Sequence, residues 1–167
     1  EQADAIMLSG ETTVGKHPLK CIEVFDRIAT RIERSGGANF FEHSDLTTAR
    51  QKLVKSAVVM ANELKAEAVL VITRSGNMAR YTAWLRPRYS KIYALCPGES
   101  VANGLSLSWG VTPFVVPFDL INPENTIEAA LQILVRQGRL HTQTTVVIIG
   151  SILVGEQIVD AVQMRVV

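Results

Sequence analysis

Val69-Leu70-Val71-Ile72-Thr73-Arg74-Ser75-Gly76-Asn77-Met78-Ala79-Arg80 is the stretch on which the reading of the fold turns. Ala68 to Thr73 is a run rich in β-branched residues, the composition of a strand buried on both faces of a parallel sheet. Ser75 and Gly76 interrupt it, and Asn77 to Leu85 returns to helical spacing. The same alternation continues in both directions. Upstream, Thr47 to Ala66 sets Leu53, Val54, Ala57, Val58, Ala61 and Leu64 at helical intervals. Downstream, Lys91 to Leu95, Val111 to Val116 and Thr145 to Ile149 read as strands, with helices over Glu99 to Ser106 and Glu124 to Gln137 between them. Short turns between alternating elements predict an α/β fold, a three-layer α/β/α domain around a mostly parallel five-stranded sheet. Val162 to Val167 supplies the last strand. No helix separates it from the Gly150 to Asp160 stretch, which reads as a loop, so a hairpin-type return places it antiparallel at the sheet edge.

The turn within the opening stretch carries chemistry. Thr73, Arg74, Ser75, Gly76 and Asn77 put hydroxyls, a cation and a flexible glycine at a strand end that opens a helix, where backbone N–H groups and the positive helix end suit a phosphate. The same residues also fit a serine-type helix cap beside a solvated arginine.

Before this region the chain reads differently. Ala3-Asp4-Ala5-Ile6-Met7-Leu8 is a short apolar run that leads into Ser9, Gly10, Glu11 and Thr12. Pro18 starts a long amphipathic helix with Leu19, Ile22, Phe25, Ile28, Ala29 and Ile32 on its apolar face, stopped at Gly36-Gly37. Gly36 to Asp45 reads as a linker, giving a first region over residues 1–40 and a second over 41–167.

Composition excludes several classes. Seventeen basic residues against sixteen acidic ones leave a net charge of +1, with no bulk field to attract nucleic acid or an anionic membrane. No run approaches the roughly 18 apolar residues of a membrane span, and no basic-then-apolar leader opens the chain. A soluble cytoplasmic protein is expected, with Cys21 and Cys96 as reduced thiols. His17, His43 and His141 lack ligand spacing, so no metal site is expected from them.

The first eighteen residues resemble the end of the last barrel strand of the pyruvate kinases, whose pattern A-D-A-(I/V)-M-L-S-G-E-T-A-x-G-x-(Y/H)-P runs in the same register. The central stretch, together with L-R-P-R-Y-S-K-I-Y-A-L from Leu85, W-G-V-T-P from Trp109 and Q-M-R-V from Gln163, resembles the C-terminal domain of the same family. The resemblance implies that residues 1–40 are the C-terminal end of a (β/α)8 catalytic barrel and 41–167 a regulatory and assembly domain. It implies a glycolytic parent enzyme that transfers phosphate from phosphoenolpyruvate to ADP, giving pyruvate and ATP, with Mg²⁺ and K⁺ as cofactors, in an allosteric homotetramer. Ser9 and Glu11 then match catalytic positions that organise water and protons beside the enolate, a hydroxyl next to a carboxylate being able to form a donor chain. On the bland alternative Ser9 satisfies loop backbone groups, and Glu11 caps the next turn or pairs with Lys16.

Nothing in these residues matches the family's catalytic lysine, its Mg²⁺-binding carboxylates or its K⁺ site, so the chain by itself is expected to be inactive and to bind neither ion. Residues 3–8, without neighbouring strands, are expected to be disordered, refolded or paired with another chain. The Thr73 to Asn77 turn matches the allosteric pocket for a sugar phosphate. Asn77, Met78 and the Gly150 to Gln157 segment, with its acidic Glu156, depart from the pattern of bisphosphate-activated members. A sugar monophosphate, or no effector, is expected, and a homo-oligomer is expected through the edge strand or the helix beside it, near Gln163 and Arg165. The alternative from another class is a non-catalytic ligand-sensing or assembly module built on the same domain.

Overall fold

The computed structural model describes residues 3–35, 40–119, 121–154 and 157–167. The chain divides into two compact units, Glu1–Ser44 and Asp45–Val167. The division falls four residues later than the sequence boundary, because Phe40–His43 forms a short helix that groups with the first unit.

In the first unit α1 spans Gly10–Thr13, α2 Pro18–Arg34 and α3 Phe40–His43. Pro18 begins α2, where its missing N–H costs nothing, and Arg31 and Arg34 sit at the negative end of the helix. The Gly36-Gly37 stop lies outside the described residues. Residue pattern alone gives α2 a strong apolar face, yet none of its residues is buried, and Leu19 is 78% exposed. Residues 3–8 form no strand and are exposed except for the half-buried Leu8. A ladder needs neighbouring strands, and among the described residues this unit offers none.

In the second unit α4 spans Ala49–Glu63, β1 Ala68–Ile72, α5 Asn77–Trp84, β2 Lys91–Cys96, α6 Glu99–Leu105, β3 Val111–Val115, α7 Pro123–Arg136, β4 Thr145–Val154 and β5 Gln157–Val166. A capping box starts α4: the Gln51 N–H donates to Thr48 Oγ1 at 3.2 Å, and the Thr48 N–H donates to Gln51 Oε1 at 3.0 Å. Pro123 starts α7 behind the Asn122 cap. The sheet has five strands in the order β3-β2-β1-β4-β5, parallel except for the β4–β5 pair. Leu70 pairs with Tyr93 on one side and Ile148 on the other, which fixes the central register. Pro113 is tolerated in β3 because that strand is at an edge.

Side chains alternate across the sheet, so Leu70, Tyr93, Leu95 and Ile148 form one core with Ile127, Ala130 and Leu134 of α7. Val69, Val71, Val147 and Ile149 turn to the opposite face, where α4 and α5 bury Val54, Ala57, Val58 and Ala79. These two cores make the three layers. Within them Cys96 is a buried free thiol, which burial pushes up to about 11.

The expected loop over Gly150 to Asp160 is not a loop. β4 and β5 run ten residues each and stay in register from Thr145↔Val166 to Val154↔Gln157. Gly155 and Glu156, including the acid singled out in the sequence, lie outside the described residues. Gly150 reads as a breaker but serves as a close-approach glycine inside the strand: a Cβ there would sit 2.9 Å from Ile72 Cδ1. Beyond it Ile152 lies opposite Val159 in the register, and a β-branched pair of this kind favours continued pairing.

Candidate functional site

The chain runs outward from β1 through β2 to β3 and returns to β4 on the other side of β1. This reversal leaves a crevice at the carboxyl ends of β1 and β4, the place where open α/β sheets receive ligands. A cleft of about 630 Å³ occupies it. β1 and its turn contribute Ile72, Thr73, Arg74 and Ser75; α5 contributes Asn77, Met78 and Tyr81; α4 contributes Arg50; β4 contributes Ser151 and β5 contributes Asp160. Phe118, Asp119, Pro123 and Thr126 close the side toward α7.

Four of the five residues singled out in the Thr73 to Asn77 turn line this cleft, and Gly76 shapes it. Thr73 is 3% exposed, and its Oγ1 accepts from the Gly76 N–H at 2.9 Å, which closes the turn. Gly76 holds φ at +85°, a conformation that glycine adopts without strain. It occupies the N-cap position of α5 and no side chain caps that helix among the described residues. The serine-cap reading of Ser75 is therefore not the one the chain adopts. The first-turn N–H groups of α5 have no intrahelical partner, whereas Thr48 and Asn122 cap α4 and α7. Ser75, Arg74 and Asn77 are exposed at the mouth.

The opposite wall is charged and already paired. Arg50 Nε donates to Asp160 Oδ2 at 2.7 Å, and Ser151 Oγ donates to Asp160 Oδ1 at 3.0 Å. The hydrogen bond from Arg50 holds the Asp160 carboxyl below its usual range, and Asp160 in turn raises the Arg50 guanidinium. Asp119 is occupied by its own loop, accepting from the N–H groups of Ile121 and Asn122 and from the Asn125 amide at 2.7 Å. Those bonds, the Asn122 N–H first, keep it ionised below the ordinary aspartate value. Asp119 thus orders the start of α7.

Arg50, Ser151 and Asp160 escape a sequence reading. Arg50 and Asp160 are 110 residues apart, and only the long β4–β5 hairpin carries Asp160 to the cleft. The one readable signal was Thr48 and Gln51, a capping-box pair that fixes where Arg50 leaves its helix.

Ser9 and Glu11 belong to the first unit. Ser9 caps α1, its Oγ accepting from the Gly10 N–H at 2.6 Å and its carbonyl from the N–H groups of Thr12 and Thr13, both at 3.1 Å. Glu11 is exposed in the first turn of α1, and no ion pair joins it to Lys16 among the described residues. No cluster of three or more His, Cys, Asp or Glu side chains suited to a metal occurs among the described residues. No helix among them is long and apolar enough to cross a membrane.

Residues 51–163 match the family described as "Pyruvate kinase, alpha/beta domain". Pyruvate kinase 2 of Synechocystis is 33% identical over 153 residues, covering 91% of this chain and 25% of that protein. The chloroplastic pyruvate kinase isozyme G of Ricinus communis is 36% identical over 160 residues, covering 90% of this chain and 36% of that protein. The chain thus spans a quarter to about a third of the length of these curated relatives. The crystal structure of a Cryptosporidium parvum pyruvate kinase has the same fold, with a TM-score of 0.75 over 96% of this chain and 32% of that one at 23% identity. The chain belongs to the pyruvate kinase family and carries its C-terminal α/β domain.

Proposed function

We propose that the whole protein to which this chain belongs is a cytoplasmic pyruvate kinase, transferring phosphate from phosphoenolpyruvate to ADP, and that Asp45–Val167 is its effector-sensing and assembly domain. The observation that carries the reading is the similarity to pyruvate kinases over nine-tenths of the chain, a longer match than the α/β domain alone, which covers residues 51–163. On this reading residues 1–40 end the catalytic barrel. The Ser9 hydroxyl and Glu11 carboxylate hold a proton and a water beside the enolate of the parent site. Mg²⁺ and K⁺ would supply charge neutralisation at the phosphoryl group in the parent. The described residues here do not fit either ion, since no cluster of ligating side chains forms and Glu11 stands as a lone exposed carboxylate.

The cleft is the effector site. Uncapped amides of α5, the Ser75 hydroxyl and the exposed Arg74 fit one phosphoryl group, while Arg50 is paired with Asp160 and Asp119 adds a further negative charge to the lining, so among the described residues no free cation remains there for a second one. The ligand class is a sugar monophosphate. At a concentration about tenfold above its dissociation constant such a ligand is expected to stabilise the chain by about 1.4 kcal/mol, read as a rise in thermal midpoint. Ser75→Asp is expected to abolish the rise. Absence of any shift with glucose 6-phosphate at low salt would refute the site. Phosphoenolpyruvate turnover by the full-length gene product, in an assay coupled to pyruvate reduction, tests the parent activity; a full-length product without turnover that still binds sugar phosphate would establish the sensing module instead.

A further inference from the structure

We propose that Asp160 limits the cleft to ligands bearing a single phosphoryl group, by acting as the built-in counter-ion of Arg50. The inference rests on the reading of the cleft as a phosphate site and concerns its selectivity. Two guanidinium groups line the cleft, and they differ in what they already hold. Among the described residues Arg74 makes no ion pair or side-chain hydrogen bond and stands exposed beside Ser75 and the open end of α5. Arg50 is engaged: its Nε lies 2.7 Å from Asp160 Oδ2.

Asp160 is held in place from two directions. It lies directly across the ladder from Ser151, whose hydroxyl donates to its other oxygen at 3.0 Å. Its side chain is 27% exposed, so the carboxylate stays at the wall of the cleft. Arg50 leaves the first turn of α4 next to the Thr48 and Gln51 capping box, and its side chain, 64% exposed, is held at the cleft by Asp160. The two form a preset pair, and this pair decides what can enter.

A monophosphate placed on Arg74, Ser75 and the α5 amides leaves the pair untouched. A second phosphoryl group, with a charge of about −1.5 to −2 at neutral pH, would have to take Arg50 from Asp160 and leave a carboxylate facing a dianion. Repulsion of that kind is how a site rejects the wrong ligand as well as binding the right one. Asp160 is therefore a specificity-determining residue, contributed by the half of β5 that the sequence pattern missed.

The test is calorimetric titration of the chain with glucose 6-phosphate and with fructose 1,6-bisphosphate, in the unaltered form and as D160N, R50Q and the double variant. The unaltered chain is expected to bind the monophosphate more tightly. D160N is expected to tighten the bisphosphate by roughly tenfold, within the usual range of coupling between neighbouring groups, with little change for the monophosphate. R50Q is expected to erase that gain in the double variant. Should D160N lower the thermal midpoint below the titration temperature, D160S, which keeps a hydroxyl opposite Ser151, replaces it. A ratio of the two affinities that D160N and D160S leave unchanged, with the monophosphate still binding, overturns the role of Asp160 and leaves the phosphate site standing. No binding of either sugar phosphate to any form overturns both.

Discussion

Gly150 is dictated by its neighbour. A Cβ at that position would meet Ile72 Cδ1 at 2.9 Å and Ile72 Cβ at 3.1 Å, and Ile72 both ends β1 and lines the cleft. Gly150→Ala is expected to destabilise the chain by about 1–3 kcal/mol through overpacking, measured by urea denaturation. Combining it with Ile72→Val, which removes the closest methyl, should cost less than the two changes summed. At the other end of the sheet Glu67 is bound by the Thr144 hydroxyl at 2.6 Å, by the His141 N–H at 3.1 Å and by His141 Nδ1 at 2.6 Å. Burial pushes its carboxyl up, but these hydrogen bonds outweigh burial and leave it below the usual glutamate value. A folded-state value below the unfolded one means stability that is present above the ordinary glutamate range and is lost as pH falls through the folded value. The advantage of the native chain over Glu67→Gln should therefore be full at about pH 7 and shrink progressively as pH is lowered below the ordinary glutamate range, in denaturant titrations across that range.

The elements that were legible in the sequence are those whose determinants are local. Thr73 to Gly76 announces a turn by its own residue types, and α7 was read to within one residue of its start; burial makes β1, β2 and the first half of β4 read as short apolar runs. The β4–β5 hairpin was not legible, because Gly150 and Ser151 resemble a loop unless Ile72 is known to press against them. With that hairpin went Asp160 and half of the cleft. The hairpin also leaves β5 at the sheet edge, with Met164 and Val166 exposed, the latter by 66%. Arg165 is engaged within its own unit. It makes a two-pronged ion pair with Glu124 of α7 and a hydrogen bond to Gln163 at 2.7 Å, pinning the strand to its own unit. An unpaired edge flanked by apolar side chains suits a two-fold partner, each copy offering the same groups to the other. The chain is expected to form a homodimer through β5, and Val166→Lys, which charges the edge, should shift it to monomer. Light scattering that finds the unaltered chain monomeric at high concentration would refute the contact.

Across the whole molecule, burial is divided as unevenly as the two units are. Every buried side chain among the described residues lies between Val54 and Ile149, inside the second unit, and α2 buries none of its own. Apolar burial is the main source of folding free energy, so the second unit holds the stability of the chain. Amide hydrogen exchange should show β1, β2 and β4 opening only with global unfolding, and α2 opening far more readily. The same division decides catalysis. Ser9 and Glu11 sit on α1, exposed to water, in a unit without a core. Stabilising the charge that develops on a phosphoryl group requires donors and cations fixed in a water-excluded site, and exposed groups in high dielectric supply little of it. This 167-residue chain is therefore expected to turn over no phosphoenolpyruvate in an assay coupled to pyruvate reduction, while still binding a sugar monophosphate through its second unit. Turnover that persists after removal of the expression host's own pyruvate kinase, and that Glu11→Gln abolishes, would show that the exposed α1 segment assembles a working site without the rest of a barrel.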